Sequence, residues 1–484
     1  MIKIATAKGD GIGPEIMDAV IKIFKSAEVP IEFVPIDMGK YMYDKGFSTG
    51  MTPEAKSTIE TLGILFKGPM ETPKGKGVKS INVTARKVWN TYANKRVFRS
   101  LNGVDTVFSR AGIPIDITIV RENIEDTYGG IEHMLTHDVA LCRRFITRPG
   151  SLQVHHYAFK MAQKKGAKKV TCGHKANIMK ITDGLFLETF YEVAKEYPDI
   201  VANDVIVDDL AMKLVVKPGE FDVVVLPNLQ GDIISDLCAG LVGGLGFAPS
   251  ANIGDNISIF EAVHGTAPDI AGKGIANPTA LLLSGIMMLR HVGLLDRAAS
   301  IENALLYTLE QGAHTSDFGK PGTQSLSTND YAEAIIGNLG KQPVHSTPVT
   351  SAKDQITFAP PTPLTKNRIL ESPKQKGEII GVDFFVESDE QPTAVAQTFE
   401  QSLTDSFQLQ LISNRGTQVW PTGSLFTECM NQYRVRVMSK DEKAVTQSNI
   451  WSEVIRVSEK LKICSVEMLM TYDGKKSFSL AQGQ

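Results

Sequence analysis

Hydrophobic positions in the first part of the chain alternate between the period of strands and the period of helices. Residues 2–6 have the two-residue period of a strand, whereas Ile16, Val20 and Phe24 recur on one helix face. The mostly apolar segment at 221–227, with four apolar residues in succession at 223–226, predicts a strand that is buried on both faces. Because strands and helices continue to alternate, we predict an α/β fold with a doubly wound, mostly parallel sheet.

A second pattern follows a proline-rich polar segment. Residues 341–376 show no periodicity and predict a linker. Residues 377–484 then predict a strand, a helix, two strands, a helix and a strand, with few groups suited to catalysis. We therefore expect a separate small α+β domain in this C-terminal region.

Charge and cysteine content exclude several functional classes. The 484 residues include 51 Lys and Arg against 54 Asp and Glu, so a net charge of −3 gives no support for nucleic-acid or membrane-surface binding. The five cysteines are scattered without metal-site spacing, which argues against a disulfide framework or structural zinc. With no signal peptide and no apolar run of membrane-spanning length, we expect a cytoplasmic protein.

Two aspartates follow the apolar run that ends at Pro227. Asp232 and Asp236 are four residues apart, so on a helix both carboxylates lie on one face. Carboxylates without Cys or His beside them suit a hard divalent cation, Mg2+ or Mn2+, better than zinc. The alternative is that the pair caps the helix and balances its dipole.

Hydroxyl, amide and guanidinium groups gather in a second segment. Ser80, Asn82 and Arg86 are spaced for a helix that Ser80 caps, and the free N–H groups at such a helix start suit an anion. Arg96 lies ten residues after Arg86, which is nearly the same face if the helix continues. A solvated basic helix is the alternative interpretation.

Other polar groups stand at the ends of predicted strands. Arg121 and Tyr128 follow one apolar strand, Lys175 ends another, and Asp208 ends a third. Doubly wound folds gather their sites at this edge of the sheet. Because a guanidinium group binds a carboxylate with two parallel hydrogen bonds, the arginines favour a ligand with several carboxylates.

The glycine-rich segment Lys8-Gly-Asp-Gly-Ile-Gly-Pro14 follows the first strand. It lacks the third glycine of a dinucleotide fingerprint at the required offset, so we interpret it as a tight strand-to-helix turn.

Taken in order, these motifs resemble the metal-dependent β-decarboxylating hydroxyacid dehydrogenases, which include isocitrate, isopropylmalate and homoisocitrate dehydrogenases. Within that family, the Thr72-Pro-Lys-Gly75 and Ser80-Ile-Asn82 patterns and the added C-terminal region are similar to the long, dimeric bacterial isocitrate dehydrogenases. The matching segments are Gly9-Asp-Gly-Ile-Gly-Pro-Glu15, Arg121-Glu-Asn123, Tyr128, Lys175-Ala-Asn-Ile-Met-Lys180, Val207-Asp208, Asn228 to Asp236, His264 to Gly272 and Asn277-Pro-Thr279.

The resemblance implies the family's two-lobed fold rather than a Rossmann fold. Residues 1–100 and 240–340 would form a large cofactor-binding domain, and residues 101–239 a small substrate and dimerisation domain with an arm near 130–165. It also implies oxidative decarboxylation of isocitrate to 2-oxoglutarate and CO2, in a homodimer whose subunits share each active site.

The resemblance also implies roles for single residues. Arg86, Arg96 and Arg121 would clamp the substrate carboxylates, and Ser80 and Asn82 would hold the γ-carboxylate. The remaining implied roles are metal ligation by Asp232, Asp236 and Asp208 of the partner subunit, protonation of C3 by Tyr128, and proton transfer near C2 by Lys175 of the partner subunit or by a metal-bound water.

The family's cofactor segment allows a prediction of cofactor specificity. NADP-using members have Lys-Tyr where this chain has Asp269-Ile270. In a partly buried site, a carboxylate there would bind the ribose hydroxyls and repel a 2′-phosphate, so we predict NAD+, with NADP+ as the alternative and turn capping by Asp269 as a purely structural one. The predicted cofactor-binding residues are Thr72, Asn82, Glu261, His264, Gly265, Thr266, Ala267, Asp269, Ile270 and Asn277.

Two alternative functions are compatible with the family's motifs. One is oxidation of homoisocitrate or 3-isopropylmalate, which the Ser80 and Asn82 pattern disfavours. The other is a non-catalytic regulatory subunit, which the presence of every metal-ligand and proton-transfer residue disfavours.

Overall fold

The computed structural model describes residues 1–71, 80–319, 322–350, 358–362, 364–371 and 374–480. The chain divides into two compact units. Unit 1 comprises Met1–Tyr128, Ile146–Ile178 and Asp183–Leu370, and unit 2 comprises Gly129–Phe145, Met179–Thr182 and Glu371–Gln484.

The described residues form eighteen strands and fourteen α-helices. The strands are β1 (Ile2–Ala7), β2 (Ile31–Pro35), β3 (Ile64–Lys67), β4 (Ala93–Arg99), β5 (Asp116–Glu122), β6 (Glu132–Met134), β7 (Ala140–Cys142), β8 (Lys169–His174), β9 (Val201–Ile206), β10 (Val223–Leu226), β11 (Pro249–Ile253), β12 (Ser258–Ala262), β13 (Gly377–Glu387), β14 (Phe407–Asn414), β15 (Thr417–Trp420), β16 (Gln432–Ser439), β17 (Lys462–Tyr472) and β18 (Lys475–Lys476). The helices are α1 (Gly13–Ser26), α2 (Lys40–Asp44), α3 (Pro53–Leu62), α4 (Ile81–Val88), α5 (Val107–Arg110), α6 (Arg148–Lys165), α7 (Thr182–Ala194), α8 (Val207–Val216), α9 (Asn228–Leu241), α10 (Thr279–His291), α11 (Leu295–Glu310), α12 (Thr328–Gly337), α13 (Pro392–Ser402) and α14 (Gln447–Ser458).

Ten strands of unit 1 form one sheet, in the order β2-β1-β3-β12-β11-β4-β5-β10-β8-β9. The pairs β12–β11, β11–β4 and β4–β5 are antiparallel, and the other six pairs are parallel. Parallel strands need crossover connections, which are usually helices, so strands and helices alternate along the chain in the two parallel outer parts of the sheet. The antiparallel strands lie between these two parts. The predicted doubly wound, mostly parallel sheet is confirmed.

Local signals set the ends of the helices as the sequence pattern predicts. Helix α1 has Pro14 in its first turn and buries Ile16 and Phe24 completely. Helix α3 begins after Thr52, whose hydroxyl accepts the Ala55 N–H at 3.1 Å. These helices therefore bury an apolar stripe against the sheet and expose their polar face.

Arg96 is the main local correction. It lies on strand β4, so the condition under which the sequence places it on the face of Arg86, a helix that continues to residue 96, is not met. Helix α4 ends at Val88, and Asn90 follows with a left-handed backbone (φ +46°), which turns the chain into β4. Pairing of β4 with both β5 and β11 then outweighs any tendency to extend the helix.

Unit 2 contains a six-stranded sheet in the order β15-β14-β16-β13-β17-β18, with antiparallel pairing throughout. Phe384, Phe399 and Val435 are completely buried in its core, which confirms a separate α+β C-terminal domain. The hairpin β6–β7 also belongs to this unit, and Arg143 beside it pairs with Glu467 at 2.6 Å. No helix in the described part of the chain is long and apolar enough to cross a bilayer.

Candidate active site

Asp232 and Asp236 lie on helix α9, past its first turn. The helix begins at Asn228 and has no acidic residue in its first turn, so the capping alternative does not hold. One oxygen of Asp232 is paired with Arg121 and lies 3.5 Å from Nη2 of Arg96, and the other accepts the Tyr128 hydroxyl at 2.5 Å. Asp236 lies 3.7 Å from Nη1 of Arg96.

The two carboxyl groups differ in their electrostatic environment. Burial opposes ionisation of Asp232, but the charges of Arg121 and Arg96 and the Tyr128 hydrogen bond outweigh it, so its pKa lies below the usual value. Burial raises the pKa of Asp236, and the neighbouring Asp232 charge adds to that effect. The pair therefore joins a firmly ionised carboxylate to one that holds its proton more tightly.

Arg96 and Arg121 are brought together by antiparallel pairing of β4 and β5. Nε and Nη2 of Arg121 donate to Oδ1 of Asn228 at 3.0 and 2.8 Å, and Nη1 of Arg96 donates to the Ser235 hydroxyl at 2.6 Å. Gly231 permits this approach, since a Cβ there would lie 2.7 Å from Cγ of Arg121. Helix α9 thus fixes both guanidinium groups.

Arg86 supplies the third guanidinium group from helix α4. Its Nη2 donates to Oε1 of Glu261 at 3.0 Å, and Glu261 also pairs with the fully buried Lys67. Burial and the neighbouring charges of Arg121 and Arg86 lower the pKa of Arg96 to about 9. The structure therefore brings Arg86, Arg96 and Arg121 into one site, as the sequence predicts.

Two buried polar atoms near Arg86 lack a partner among the described residues: Nε of Arg86 and Oδ1 of Asn82. A buried group of this kind is costly unless a ligand or water satisfies it. Ser80 caps α4 and accepts the Val83 N–H at 3.5 Å, as predicted. Thr72, a predicted cofactor-binding residue, lies outside the described residues.

Asp208 and Lys175 form a second, separate pair. Asp208 lies in the first turn of α8 rather than at a strand end, with 69% of its side chain exposed, and it is paired with Lys175. The described part of the chain has no group of three metal-ligating side chains, so Asp208 does not complete a triad with Asp232 and Asp236 within one chain. The predicted site residues therefore lie in two separate groups within one chain, Asp232 with Asp236 in one and Asp208 with Lys175 in the other.

The loop at 264–270 packs on the glycine-rich turn that follows β1. Ile12 N–H donates to the Thr266 carbonyl at 2.9 Å, and Gly11, with φ +60°, would bring a Cβ to 2.1 Å from that oxygen. The segment that we interpret as a tight turn is therefore also the support of the predicted cofactor loop. Within the loop, Ala267 has φ +41°, a strained value for a residue with a Cβ.

The other predicted cofactor-binding residues differ in whether their polar atoms already have a hydrogen-bond partner. Nε2 of His264 is buried without a partner among the described residues, whereas Nδ2 of Asn277 donates to Asp317 at 3.0 Å. Ile270 packs against the main core of unit 1, and Gly265 is exposed.

Sequence reasoning missed Lys67, Asn94 and Asn252. Lys67 had a usable signal, since it is a charged residue at the end of the apolar run 63–67, where it is 1% exposed. The two asparagines had none, because each lies in an ordinary strand pattern.

Comparison with known proteins assigns the chain to a family. The sequence profile described as isocitrate/isopropylmalate dehydrogenase matches residues 3–335. The chain belongs to this family. The profile described as the bacterial isocitrate dehydrogenase C-terminal domain matches residues 377–484.

Full-length relatives and a solved structure agree with this assignment. An isocitrate dehydrogenase [NADP] of Thermus thermophilus is 42% identical over 484 residues, covering 99% of this chain and 96% of the relative. One of Rickettsia bellii is 39% identical over 486 residues, covering 99% of each. The crystal structure of a Thermus thermophilus protein aligns with a TM-score of 0.90 and 42% identity, covering 100% of this chain and 96% of that one.

These relatives contradict the prediction of NAD+, since the full-length relatives of Thermus thermophilus and Rickettsia bellii are both named as NADP enzymes. That prediction assumed a partly buried Asp269, but Asp269 is exposed on a turn, where water and salt screen its repulsion of a 2′-phosphate. The exposed Lys273 closes the same turn, with its N–H donating to the Ile270 carbonyl at 3.2 Å. A single carboxylate in that setting does not decide cofactor choice.

Proposed function

We propose that the protein catalyses the metal-dependent oxidative decarboxylation of isocitrate to 2-oxoglutarate and CO2, with reduction of a nicotinamide dinucleotide. The observation that supports this most directly is the convergence of Arg86, Arg96 and Arg121 beside Asp232 and Tyr128. The full-length relatives are named as isocitrate dehydrogenases that use NADP+, and their names favour that cofactor.

The guanidinium groups suit a substrate with several carboxylates. Arg121 and Arg96 are balanced by Asp232, and Arg86 by Glu261, while Nε of Arg86 remains without a partner among the described residues. A bound carboxylate satisfies that donor. Isocitrate, with three carboxylates, offers one for each arginine.

The donor set of helix α9 fits a divalent cation. Asp232 and Asp236 supply oxygen ligands from one helix face, and Asp208 of the partner subunit would supply the third. When bound, the cation supplies Lewis-acid stabilisation of the negative charge that develops on the substrate. Arg121 and Tyr128, which are both bonded to Asp232, would then be available to the substrate.

Tyr128 is suited to donate a proton at C3. Burial and the hydrogen bond to Asp232 raise its pKa, so its hydroxyl is protonated at neutral pH. The guanidinium group of Arg121 lies over its ring, 4.9 Å from the centroid, and holds the ring in place. Lys175 of the partner subunit would serve proton transfer near C2.

A second copy of the chain would complete the site. Helices α8 and α9 pack against each other and expose large apolar side chains, including Met212 (52%), Val216 (62%) and Ile233 (62%). An apolar surface of this kind, beside Asp208 and Lys175, suits a two-fold interface that exchanges those residues.

Mixing two inactive variants tests the shared site. Arg121→Met and Lys175→Met should each be inactive as homodimers. After joint unfolding and refolding in equal amounts, half of the dimers combine both chains and contain one intact site, so about one quarter of wild-type activity should return. Light scattering checks for the dimer. Activity that stays absent in confirmed mixed dimers would refute the shared site.

Steady-state kinetics with Mn2+ tests the reaction itself. We expect turnover of isocitrate well above that of homoisocitrate or 3-isopropylmalate, measured with NADP+ and NAD+ in parallel. EDTA should abolish the activity and added Mn2+ restore it. A preference for an alkyl malate, or activity that survives thorough chelation, contradicts the proposal.

A further inference from the structure

A continuous line of buried polar side chains crosses the antiparallel centre of the sheet in unit 1. It begins at Arg96 and Asn94 on β4, passes through Asn252 on β11, and ends at Glu261 on β12. Asn94 lies opposite Asn252 in the strand register, and both are 0% exposed. Directly opposed residues share one face of a sheet, so these side chains meet beneath the arginines.

The hydrogen bonds along this line are short and unbroken. Nε of Arg96 donates to Oδ1 of Asn94 at 2.7 Å, and Nδ2 of Asn94 donates to Oδ1 of Asn252 at 2.9 Å. Nδ2 of Asn252 then donates to Oε1 of Glu261 at 2.8 Å, the oxygen that Arg86 also binds at 3.0 Å. Two substrate-site arginines are thereby joined through three intervening side chains.

The residues at the two ends of this line of hydrogen bonds allow only one orientation for the amide groups of Asn94 and Asn252. Arginine Nε can only donate, so the oxygen of Asn94 faces it and its amino group faces Asn252. An ionised Glu261 can only accept, so the amino group of Asn252 faces it. Charges of Lys67 and Arg86 hold the pKa of Glu261 low against the effect of burial, which keeps this acceptor ionised.

Asn252 lies at the centre of this network of hydrogen bonds. Besides Asn94, its oxygen accepts Nδ2 of Asn123 at 3.0 Å, and its amino group also donates to the Ile259 carbonyl at 3.4 Å. Every donor and acceptor of the amide is therefore used, and no other natural side chain of its size has the same donor and acceptor arrangement.

We propose that Asn252 is a positioning residue that fixes the separation of Arg86 and Arg96, and hence the spacing of ligand carboxylates that the site accepts. The inference rests on the proposed role of these arginines as carboxylate clamps. It extends that proposal by assigning specificity to a residue that lies beneath the guanidinium groups rather than facing the ligand.

The substitution Asn252→Asp tests the orientation of the hydrogen bonds that run from Arg96 to Glu261. The introduced carboxyl group, when ionised, cannot donate to Glu261 and repels it. When protonated, it has one donor and one acceptor and can restore both bonds. We therefore expect the KM for isocitrate to rise about 10- to 100-fold at high pH and to return towards the wild-type value as pH falls. The pH profile of kcat should change less than that of KM.

Two further variants separate positioning from simple loss of stability. Asn94→Asp keeps the acceptor for Arg96 but, when ionised, cannot donate to Asn252, so it should also raise the KM for isocitrate. Because the Arg96 charge favours the ionised form, the return towards the wild-type value should come at lower pH than in Asn252→Asp, where Glu261 disfavours ionisation. The matched control is Asn303→Asp, another buried asparagine of unit 1, which exchanges hydrogen bonds of 2.8 and 2.9 Å with the Val349 backbone instead of joining the polar line beneath the arginines. The control should lower the melting temperature without changing KM.

The outcomes distinguish this inference from the proposed function. If wild-type protein oxidises isocitrate but folded Asn252→Asp and Asn94→Asp keep wild-type KM at all pH values, positioning by Asn252 is wrong and the function stands. A KM that rises without any pH dependence would also contradict the proposed orientation of the hydrogen bonds through Asn94 and Asn252. If wild-type protein does not oxidise isocitrate, the proposed function itself fails.

Discussion

Both units of the molecule bury arginines of antiparallel strands against carboxylates, but the partners differ: in unit 1 the carboxylate of Asp232 comes from helix α9, and in unit 2 that of Asp383 comes from a neighbouring strand. In unit 2, Arg436 on β16 is 1% exposed and lies opposite Asp383 on β13. Its Nε and Nη2 donate to the two oxygens of Asp383 at 2.8 Å each, and its Nη1 donates to the Ser479 carbonyl at 2.8 Å. Each nitrogen of this guanidinium group is therefore bonded within the unit.

The arginines of unit 1 are held less completely. Nε of Arg86 has no partner among the described residues, and Arg96 is forced close to two other guanidinium charges, which lower its pKa. A buried charge by itself therefore does not mark a functional site. Unused donor capacity occurs in both clusters, since Arg434, whose Nε also donates to Asp383 at 2.8 Å, has a buried Nη2 without a partner among the described residues. What separates the site in unit 1 is that three guanidinium groups are crowded together, which lowers the pKa of Arg96, beside the carboxylates of Asp232 and Asp236.

The largest difference should come from the same substitution made in each cluster. Arg121→Met removes a guanidinium group that we place on the substrate, so kcat/KM for isocitrate should fall about 10²–10³-fold or more. Because it also removes a charge crowded by Arg86 and Arg96, the melting temperature should change little. Enzyme kinetics and calorimetry on one preparation give both values.

Arg436→Met is the matched variant in unit 2. It leaves the buried carboxylate of Asp383 with only the hydrogen bond from Nε of Arg434, so we expect a loss of up to about 3 kcal/mol in the stability of that unit. The KM for isocitrate should stay at the wild-type value. Denaturant unfolding followed through Trp420 and Trp451 reports on this region. A large KM change in Arg436→Met would remove the distinction between the clusters.

The smallest expected effect is on acid stability. The pKa of Glu261 is lowered in the folded state, because Lys67 and Arg86 overcome the cost of burial, so its stabilising contribution is present above its ordinary value near 4.5 and is lost as pH falls below it. Glu261→Gln should therefore flatten the fall in melting temperature between about pH 5 and lower values, as measured by calorimetry.

Glu302 provides the control for that measurement. It is also buried, and despite that burial its pKa is lowered by Arg290 and Arg99, away from the clamp. Glu302→Gln should flatten the same acid limb but leave the KM for isocitrate unchanged, whereas Glu261→Gln should alter both. Equal effects of the two variants on KM would contradict the role of Glu261 beneath Arg86.

Much of the fold followed from local periodicity. The apolar stripe of Ile16, Val20 and Phe24 predicts α1, and all three residues are completely buried. Asp232 and Asp236 lie on one helical face because their spacing fits the α-helix. Arg96 failed this reasoning, since spacing from Arg86 has meaning only if the helix continues, and a left-handed Asn90 ends it.

The candidate site was predictable in its chemistry but not in its assembly. Carboxylates, arginines and a tyrosine at strand ends indicated a ligand with several acids, and the structure brings Arg86, Arg96, Arg121, Asp232 and Tyr128 together. The buried asparagines that support the site could not be recognised from the sequence pattern. Asn94 and Asn252 lie 158 positions apart and bond only because β11 pairs with β4.

The two aspartates on α9 show which properties of the site the sequence determines and which ones the tertiary structure determines. The sequence by itself determined their common face and the family to which the chain belongs, and it predicts a hard cation for the pair, since these inferences depend on residue type and on spacing within a few positions. Only the tertiary structure decided that Arg121 and Tyr128 hold Asp232, and that Asp208 stands apart with Lys175. Such contacts depend on the order of strands in the sheet, which brings together residues far apart in the chain and which local periodicity does not encode.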